Sequence, residues 1–295
     1  MKEKTIYALG VFDGVHLGHQ ALLLACRELA EARGCRAGVI TFSGHPDTLV
    51  SGTTPYLLNS INDRTRLLSR YGISRVEILP FDEDLMRLPW QDFFRRLLTE
   101  FDAVGLVCGE DFRCGFRGEG TASRLQDACR QAGIPCAVIP QQTLNGTVVS
   151  STYIRNLLET GDMETANRFL GHPHILSAQV VAGRQLGRTI GIPTANMAVP
   201  QGLQLPKNGV YACRVLAQGN HYYAVTNVGT RPTVNGTHLT VEPWILDFSG
   251  DLYGQEITVE FHHRLREEKT FPSLAALQQE IFRNRSQTLD FFEKL

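Results

Sequence analysis

The spacing of hydrophobic positions changes once along the chain. In the first half, short apolar runs at Thr5–Leu9, Ala37–Phe42, Arg75–Pro80, Ala103–Cys108 and Cys136–Pro140 show little polar alternation. That is the pattern of strands covered on both faces. Between them, helical periodicity predicts helices over Gln20–Ala32, Asp63–Ser69, Trp90–Leu98 and Ala122–Gln131. Strands alternating with helices imply a parallel, doubly wound α/β sheet. Two more helices close this half, one capped by Ser151 or Thr152 and ending near Gly161, the other capped by Asp162 and ending before Gly171. After His172-Pro173, strand-like runs follow one another without helices: Ala178–Val181, Val210–Val215, Tyr222–Val228, Leu239–Phe248 and Ile257–His263. Gly, Pro and Asn separate them, as in an antiparallel barrel or sandwich. A final helix is expected from Ser273, packing through Leu277, Ile281 and Leu289. The expected layout is two domains, residues 1–172 and 178–295.

Composition narrows the classes. At 295 residues with 43% hydrophobic and 20% charged positions, the chain suits two globular cores. The formal net charge is −1, with 18 basic and 20 acidic residues before position 172 and 11 and 10 after it. A general nucleic-acid binder gains affinity by neutralising phosphates and carries a basic excess, so that class is disfavoured. The charged start at Met1–Lys4 and the shortness of every apolar run predict neither a targeting segment nor a membrane span. Seven cysteines without CxxC spacing argue against zinc and disulfide frameworks, and predict buried reduced thiols in a cytoplasmic protein.

Two segments of the first half carry candidate chemistry. Gly10-Val11-Phe12-Asp13-Gly14-Val15-His16-Leu17-Gly18-His19 follows the first strand and opens the first helix. His16 and His19, three apart at a helix start, lie on roughly one face. Gly18 removes a side chain where a phosphate would approach, and helix N-terminal amides with imidazole donors can hold a polyphosphate. A lone histidine here would read as a cap; the whole HxGH string in a strand–turn–helix reads as a phosphate site. Val149-Ser150-Ser151-Thr152-Tyr153-Ile154-Arg155 places hydroxyls at a helix start with a guanidinium one turn in, able to clamp the same anion.

In the second half, the segment Gly183 to Asn196 holds Gly183, Arg184, Gly187, Arg188, Gly191, Pro193 and Thr194. Glycines with arginines suit a loop that wraps phosphates through backbone amides, although no Walker A string is present. Thr194 and Asn196 are two apart, so in extended backbone their oxygens share a face and suit Mg²⁺ carrying ATP phosphates. A glycine-rich barrel turn remains the alternative reading.

The HxGH string with an SSTxxR string resembles the nucleotidyltransferases that move a nucleoside monophosphate onto a phosphate. With Cys108-Gly109-Glu110-Asp111-Phe112-Arg113-Cys114-Gly115 added, the first half is similar to the FMN adenylyltransferase module of bacterial bifunctional riboflavin kinase/FAD synthetases. The resemblance implies a Rossmann-like nucleotidyltransferase domain. In it Phe12, Asp13, Gly14, His16, Gly18, His19, Ser151, Thr152 and Arg155 would meet ATP, and Asp111 and Phe112 the flavin. Cys114 stands where that family usually has an aromatic residue, and Thr41-Phe42-Ser43-Gly44-His45-Pro46 lacks the first proline of its TFxPHP string.

The second half resembles the riboflavin kinase module, a small barrel, through the Gly183–Asn196 segment, Gly209-Val210-Tyr211, Asn227–Thr233, Val241–Phe248 and Arg266–Phe271. By that resemblance Glu242 is the catalytic carboxylate, and Arg266, Glu268 and Phe271 meet the flavin. Gly183, Arg188, Gly191, Pro193, Thr194 and Asn196 would meet ATP, with Mg²⁺ on Thr194 and Asn196 and no permanently bound cofactor. Relatives often carry Gly where Ala178 stands and Asp where Asn284 stands, both outside the chemical strings. The implied ligands are riboflavin, FMN, FAD and ATP, with no nucleic acid, membrane or obligatory protein partner. Two other readings stay open: another HxGH transferase with a regulatory β-domain, and a flavin or nucleotide sensor without activity.

Overall fold

The computed structural model describes residues 4–52, 54–183, 187, 191–233 and 236–295. Packing divides the chain into Met1–Leu57 with Arg64–Ser151, and Leu58–Asp63 with Thr152–Leu295.

The first unit is built on five parallel strands, β1 (Thr5–Leu9), β2 (Arg36–Phe42), β3 (Arg75–Leu79), β4 (Ala103–Gly109) and β5 (Cys136–Ile139). Their order is β3-β2-β1-β4-β5. Helices α1 (Leu17–Glu31), α2 (Ile61–Arg70), α3 (Trp90–Thr99) and α4 (Ala122–Gln131) stand in the chain between the strands, as a parallel sheet requires. Tyr7, Leu9, Ile40, Leu106, Leu97 and Leu125 centre one apolar core. From β1 the chain proceeds to β2 and β3 on one side, and β4 and β5 add on the other. In such sheets the ligand crevice lies outside the carboxyl ends of the strands at this reversal, here β1 and β4.

The second unit holds six strands: β6 (His174–Val181), β7 (Asn196–Met197), β8 (Gly209–Ala217), β9 (Asn220–Thr233), β10 (Gly236–Ile245) and β11 (Glu256–Arg266). All pair antiparallel in the order β7-β6-β11-β8-β9-β10. Register shifts in the β8–β11 ladder, at Val210/Tyr211 and Ala212/Cys213, bend the sheet. The Ala195 N–H donates to the Pro243 carbonyl at 2.9 Å, joining the two ends into a nearly closed barrel. β9 runs well past the expected Val228, because the ladder continues through Gly229↔Thr240 to Thr233↔Gly236 in a stretch whose Gly and Pro read as a turn. β10 stops at Ile245, short of the expected Phe248, where Asp247 turns the chain with φ 56°.

Helices α5 (Ser151–Thr160) and α6 (Met163–Leu170), which the sequence reading placed at the end of the first half, pack with the barrel from Thr152 onward. Polar contacts carry the docking: the Asn167 amide donates to the Phe261 carbonyl and accepts from the His174 N–H, both at 2.8 Å. The Lys207 N–H also donates to the Leu158 carbonyl at 2.8 Å. The last helix, α7 (Leu274–Glu293), is capped as expected by Ser273, whose hydroxyl accepts from the Ala276 N–H at 3.2 Å. Its fully buried positions are Asn284, Thr288 and Phe292, one per turn, while Leu277, Ile281 and Leu289 are half-buried.

Candidate functional sites

The turn after β1 is strained and firmly held. Phe12, Gly14 and Val15 all have positive φ (54°, 81° and 42°), an uncommon conformation for a β-branched residue such as Val15. Three side chains fix it: Thr41 Oγ donates to the Val11 carbonyl at 2.7 Å, Ser151 Oγ to the Asp13 carbonyl at 2.9 Å, and Gln20 Nε2 to the Val15 carbonyl at 2.9 Å. His16 then serves as the N-cap of α1, its Nδ1 accepting from the His19 N–H at 3.3 Å. The two imidazoles stack with centroids 3.7 Å apart, and Phe12 lies 5.1 Å from the His19 ring. Gly18 suits this position: a Cβ would come within 3.1 Å of the His16 ring and press on it.

His19 presents a buried Nδ1 with no hydrogen-bond partner among the described residues. Burial, with His16 and Arg64 adding to it, holds its pKa well below the usual histidine range, so the ring is neutral. Arg64 was not singled out by the sequence. It is 1% exposed, donates to the Phe42 carbonyl at 3.0 Å and to Thr41 Oγ at 3.3 Å, and lies 4.0 Å from the buried Asp13 carboxylate. Its position in a polar helix face gave no signal in the chain. Removing the guanidinium takes a buried cation from beside Asp13 and breaks its bonds to Thr41 and Phe42, so Arg64→Met should cost about 3–5 kcal/mol. Urea unfolding checks this, and an unchanged midpoint would show that the pair contributes nothing.

The segment after β4 forms a turn in which Glu110 accepts from the Gln141 N–H at 3.0 Å and the exposed Asp111 from Gln141 Nε2 at 3.5 Å. Phe112 is half-buried against the core cluster. The carboxyl ends of β1 and β4 are neighbours in the sheet, so the histidine turn and the Asp111–Phe112 turn stand at the same reversal. Thr152 is exposed and Arg155 half-buried on α5, in the portion that packs with the second unit. Cys108, Cys114, Cys129 and Cys136 all meet this unit's core. All seven cysteines are free, with Cys35, Cys114 and Cys136 only half-buried against the expectation of burial. Burial pushes the Cys26 thiol up to about 11 and the Cys114 thiol up to about 12, which keeps them protonated and unreactive.

In the second unit, a cavity of about 420 Å³ opens between the barrel and α7. Glu242 of β10 lines it, opposite Asn227 of β9 in the ladder, together with Trp244, Arg266, Glu268 and Phe271. Leu274, Leu277 and Ile281 of α7 line it too, so Leu277 and Ile281 wall the cavity and are left half-buried while Leu274 at the helix start is exposed. Glu268 lies against Gly229, where a Cβ would overlap its carboxylate, and accepts from Asn208 Nδ2 at 3.3 Å. A second cavity of about 310 Å³ is lined by Pro193, Thr194, Pro243, Phe248, Asp251 and Tyr253. Thr194 lines both, so the cavities meet at that residue. Alternation along β10 aims Glu242 and Trp244 at the first cavity and Pro243 and Ile245 at the second.

Gly183 is dictated by Asn196, whose amide a Cβ there would overlap, and Gly187 by the Ile192 carbonyl. Gly191 has φ +72°. Arg188 lies outside the described residues. Among the described residues no cluster of three His, Cys, Asp or Glu side chains could hold a metal ion. The Thr194 and Asn196 oxygens are neutral hard donors, with Asn196 held in a cradle that exists because residue 183 lacks a side chain. The loop Phe248–Tyr253 was missed in the sequence, its Ser-Gly-Asp reading as an ordinary turn. Asn284, which the sequence reading set apart from the chemistry, is in the wall of the first cavity.

Comparison with known proteins follows the same division. A family model described as FAD synthetase matches residues 1–153, and one described as riboflavin kinase matches residues 170–292. Similar curated proteins include bifunctional riboflavin kinase/FMN adenylyltransferases of Bacillus subtilis, 31% identical over 99% of this chain and 94% of that protein, and of Escherichia coli K12, 35% identical over 99% and 94%. The Pseudomonas fluorescens protein of that name is 36% identical over 94% and 89%. A crystal structure described as a macrolide-efflux protein from Streptococcus pneumoniae is 29% identical, with a TM-score of 0.88 over 98% of this chain and 94% of that one. No helix among the described residues of the present chain is long and apolar enough to cross a membrane.

Proposed function

The chain belongs to the bifunctional riboflavin kinase/FMN adenylyltransferases, and from that premise we propose how its residues divide the two reactions. The enzyme phosphorylates riboflavin with ATP to FMN and adenylylates FMN with ATP to FAD and pyrophosphate. The kinase step belongs to the barrel, and the observation that carries this reading is the 420 Å³ cavity with Glu242 on its wall. A primary alcohol attacking the γ-phosphorus is a poor nucleophile at neutral pH, so a carboxylate beside it assists by taking its proton. Glu242 takes that role, with riboflavin against Arg266, Glu268 and Phe271, and the adenosine of ATP in the adjoining cavity beside Phe248 and Tyr253. The glycine-bearing segment of Gly183, Arg188, Gly191 and Pro193 spans the phosphates. Thr194, where the cavities meet, and Asn196 would hold a magnesium ion, which supplies charge neutralisation to the phosphates when bound.

Adenylylation makes a different demand. The phosphate of FMN, with a second pKa of about 6, is already largely dianionic at pH 7 and needs no base. The donors required are those that neutralise the migrating and leaving phosphates. His16, His19, Gly18 and the turn Phe12–Gly14 supply them in the first unit. Ser151, Thr152 and Arg155 complete the ATP contacts, and Asp111 and Phe112 those to the flavin. The domain division is accordingly 1–172 for adenylyl transfer and 178–295 for the kinase, with helices α5 and α6 contributing sequence to the first and packing to the second.

Thr194→Ala and Asn196→Ala should each raise the KM for Mg·ATP about tenfold or more in FMN formation, as expected for losing a contact to a charged ligand. FAD formation from added FMN should be unchanged. Equal losses in both half-reactions of folded variants would contradict the assignment.

A further inference from the structure

Asn284 sits in the middle of α7 and is 1% exposed, in the wall of the cavity assigned to the flavin. A buried amide must be matched by partners, and this one is matched on both sides. Its Oδ1 accepts from Arg266 Nε at 3.0 Å, and its Nδ2 donates to Gln287 Oε1 at 3.1 Å. The orientation is forced, since a guanidinium has no acceptor and so meets the amide oxygen. Part of the remaining Arg266 fork is also held. One terminal nitrogen donates to the Glu267 carbonyl at 2.9 Å, Glu280 lies 3.5 Å from Nε, and the guanidinium stands 5.6 Å from the Phe271 ring centroid. Glu280 is shared, with Lys269 at 3.6 Å and Arg283 at 3.9 Å. One carboxylate therefore serves three cations, and the partner closest to Arg266 on α7 is uncharged.

We propose that Asn284 is a positioning residue of the kinase site: a neutral amide that aims Arg266 at the flavin without cancelling its charge. A carboxylate at 284 would accept the same hydrogen bond but add a negative charge to a wall that already carries Glu242 and Glu268. Neutral riboflavin is little affected by that charge. FMN, which carries a phosphate of about two negative charges at pH 7, is repelled by it. The amide thus matters to the neutral substrate through orientation and to the anionic product through charge. The inference rests on the flavin reading of this cavity.

The test compares Asn284→Ala, Asn284→Asp, Arg266→Ala and the Arg266→Ala/Asn284→Ala double variant in the full-length enzyme. It reads riboflavin KM, kcat and the inhibition constant of added FMN in the kinase step, with FAD formation from FMN as the control for folding. Asn284→Ala should raise riboflavin KM about tenfold with kcat within threefold, the signature of binding lost equally from ground and transition states. Asn284→Asp should restore riboflavin KM while weakening FMN inhibition about fivefold or more. In the Arg266→Ala background, Asn284→Ala should add nothing, because the amide acts through the guanidinium. Failure of the aspartate to rescue KM, or full additivity in the double variant, would reduce Asn284 to a packing residue. If Arg266→Ala raises riboflavin KM and Asn284→Ala does not, the positioning role falls and the flavin cavity stands. If Arg266→Ala also leaves riboflavin KM unchanged, the cavity assignment falls first.

Discussion

A His19→Ala enzyme given riboflavin, ATP and magnesium should accumulate FMN and form FAD about 10²–10³-fold more slowly, the usual cost of one lost donor to developing phosphate charge. The expectation comes from the strained turn that places His19. Three positive-φ residues, two of them the non-glycines Phe12 and Val15, are held by hydroxyl and amide side chains from positions 41, 151 and 20. A turn fixed from three directions presents its imidazoles in one arrangement, and preorganised donors are the ones that lower a barrier. His19 acts as a neutral ring, because burial, His16 and Arg64 all disfavour its protonation. Its titration therefore lies on the acid side of the usual value of 6.5, and FAD formation should show no loss from His19 protonation as the pH falls to that value. FMN formation in the variant should match the parent, since the barrel is intact. Parental rates of FAD formation would move the nucleotide site elsewhere.

Glu242→Gln should lower FMN formation about 10²–10⁴-fold, the range for a positioned acid–base group. Glutamine keeps the size of the side chain and removes both its charge and its capacity to take a proton. The ladder around it, Asn227↔Glu242 and Val228↔Val241, is made by backbone groups and should persist. Adenylylation of added FMN should continue, because that nucleophile is already ionised. The competing role for Glu242 is orientation of riboflavin by hydrogen bonding, which glutamine partly supplies. In that case KM would rise and kcat would be largely kept. Near-parental kcat for FMN formation in a folded Glu242→Gln enzyme therefore ends the general-base role.

Much of the fold is legible in the chain because it follows from local rules. The five continuous apolar runs became the five parallel strands, within a residue or two at their ends. Ser273 and Asp162 cap α7 and α6 as their positions imply, and Gly171 terminates α6 in a left-handed conformation with φ 74°. What was not legible depends on partners distant in sequence. β9 extends through Gly229 to Thr233 because β10 lies alongside it, overriding the turn character of Gly and Pro. Arg64 reads as one charge among several on a polar helix, yet folding buries it beside Asp13, 51 positions earlier in the chain. The HxGH string and the Gly183–Asn196 segment stand out because their glycines and polar residues are packed into short segments. Asn284 is set in a helical stretch with nothing beside it to mark it, and only the cavity reveals its bond to Arg266.

The central claim is that one chain holds two separate sites with opposite needs for a base. The most direct test is a crossed assay in which His19→Ala and Glu242→Gln are each supplied with riboflavin in one reaction and with FMN in another, and the flavins are separated by chromatography. Independent sites predict FMN without FAD from the first variant, and FAD from FMN but almost nothing from riboflavin in the second. A folded variant that loses both half-reactions, or either variant that keeps both, would contradict the division.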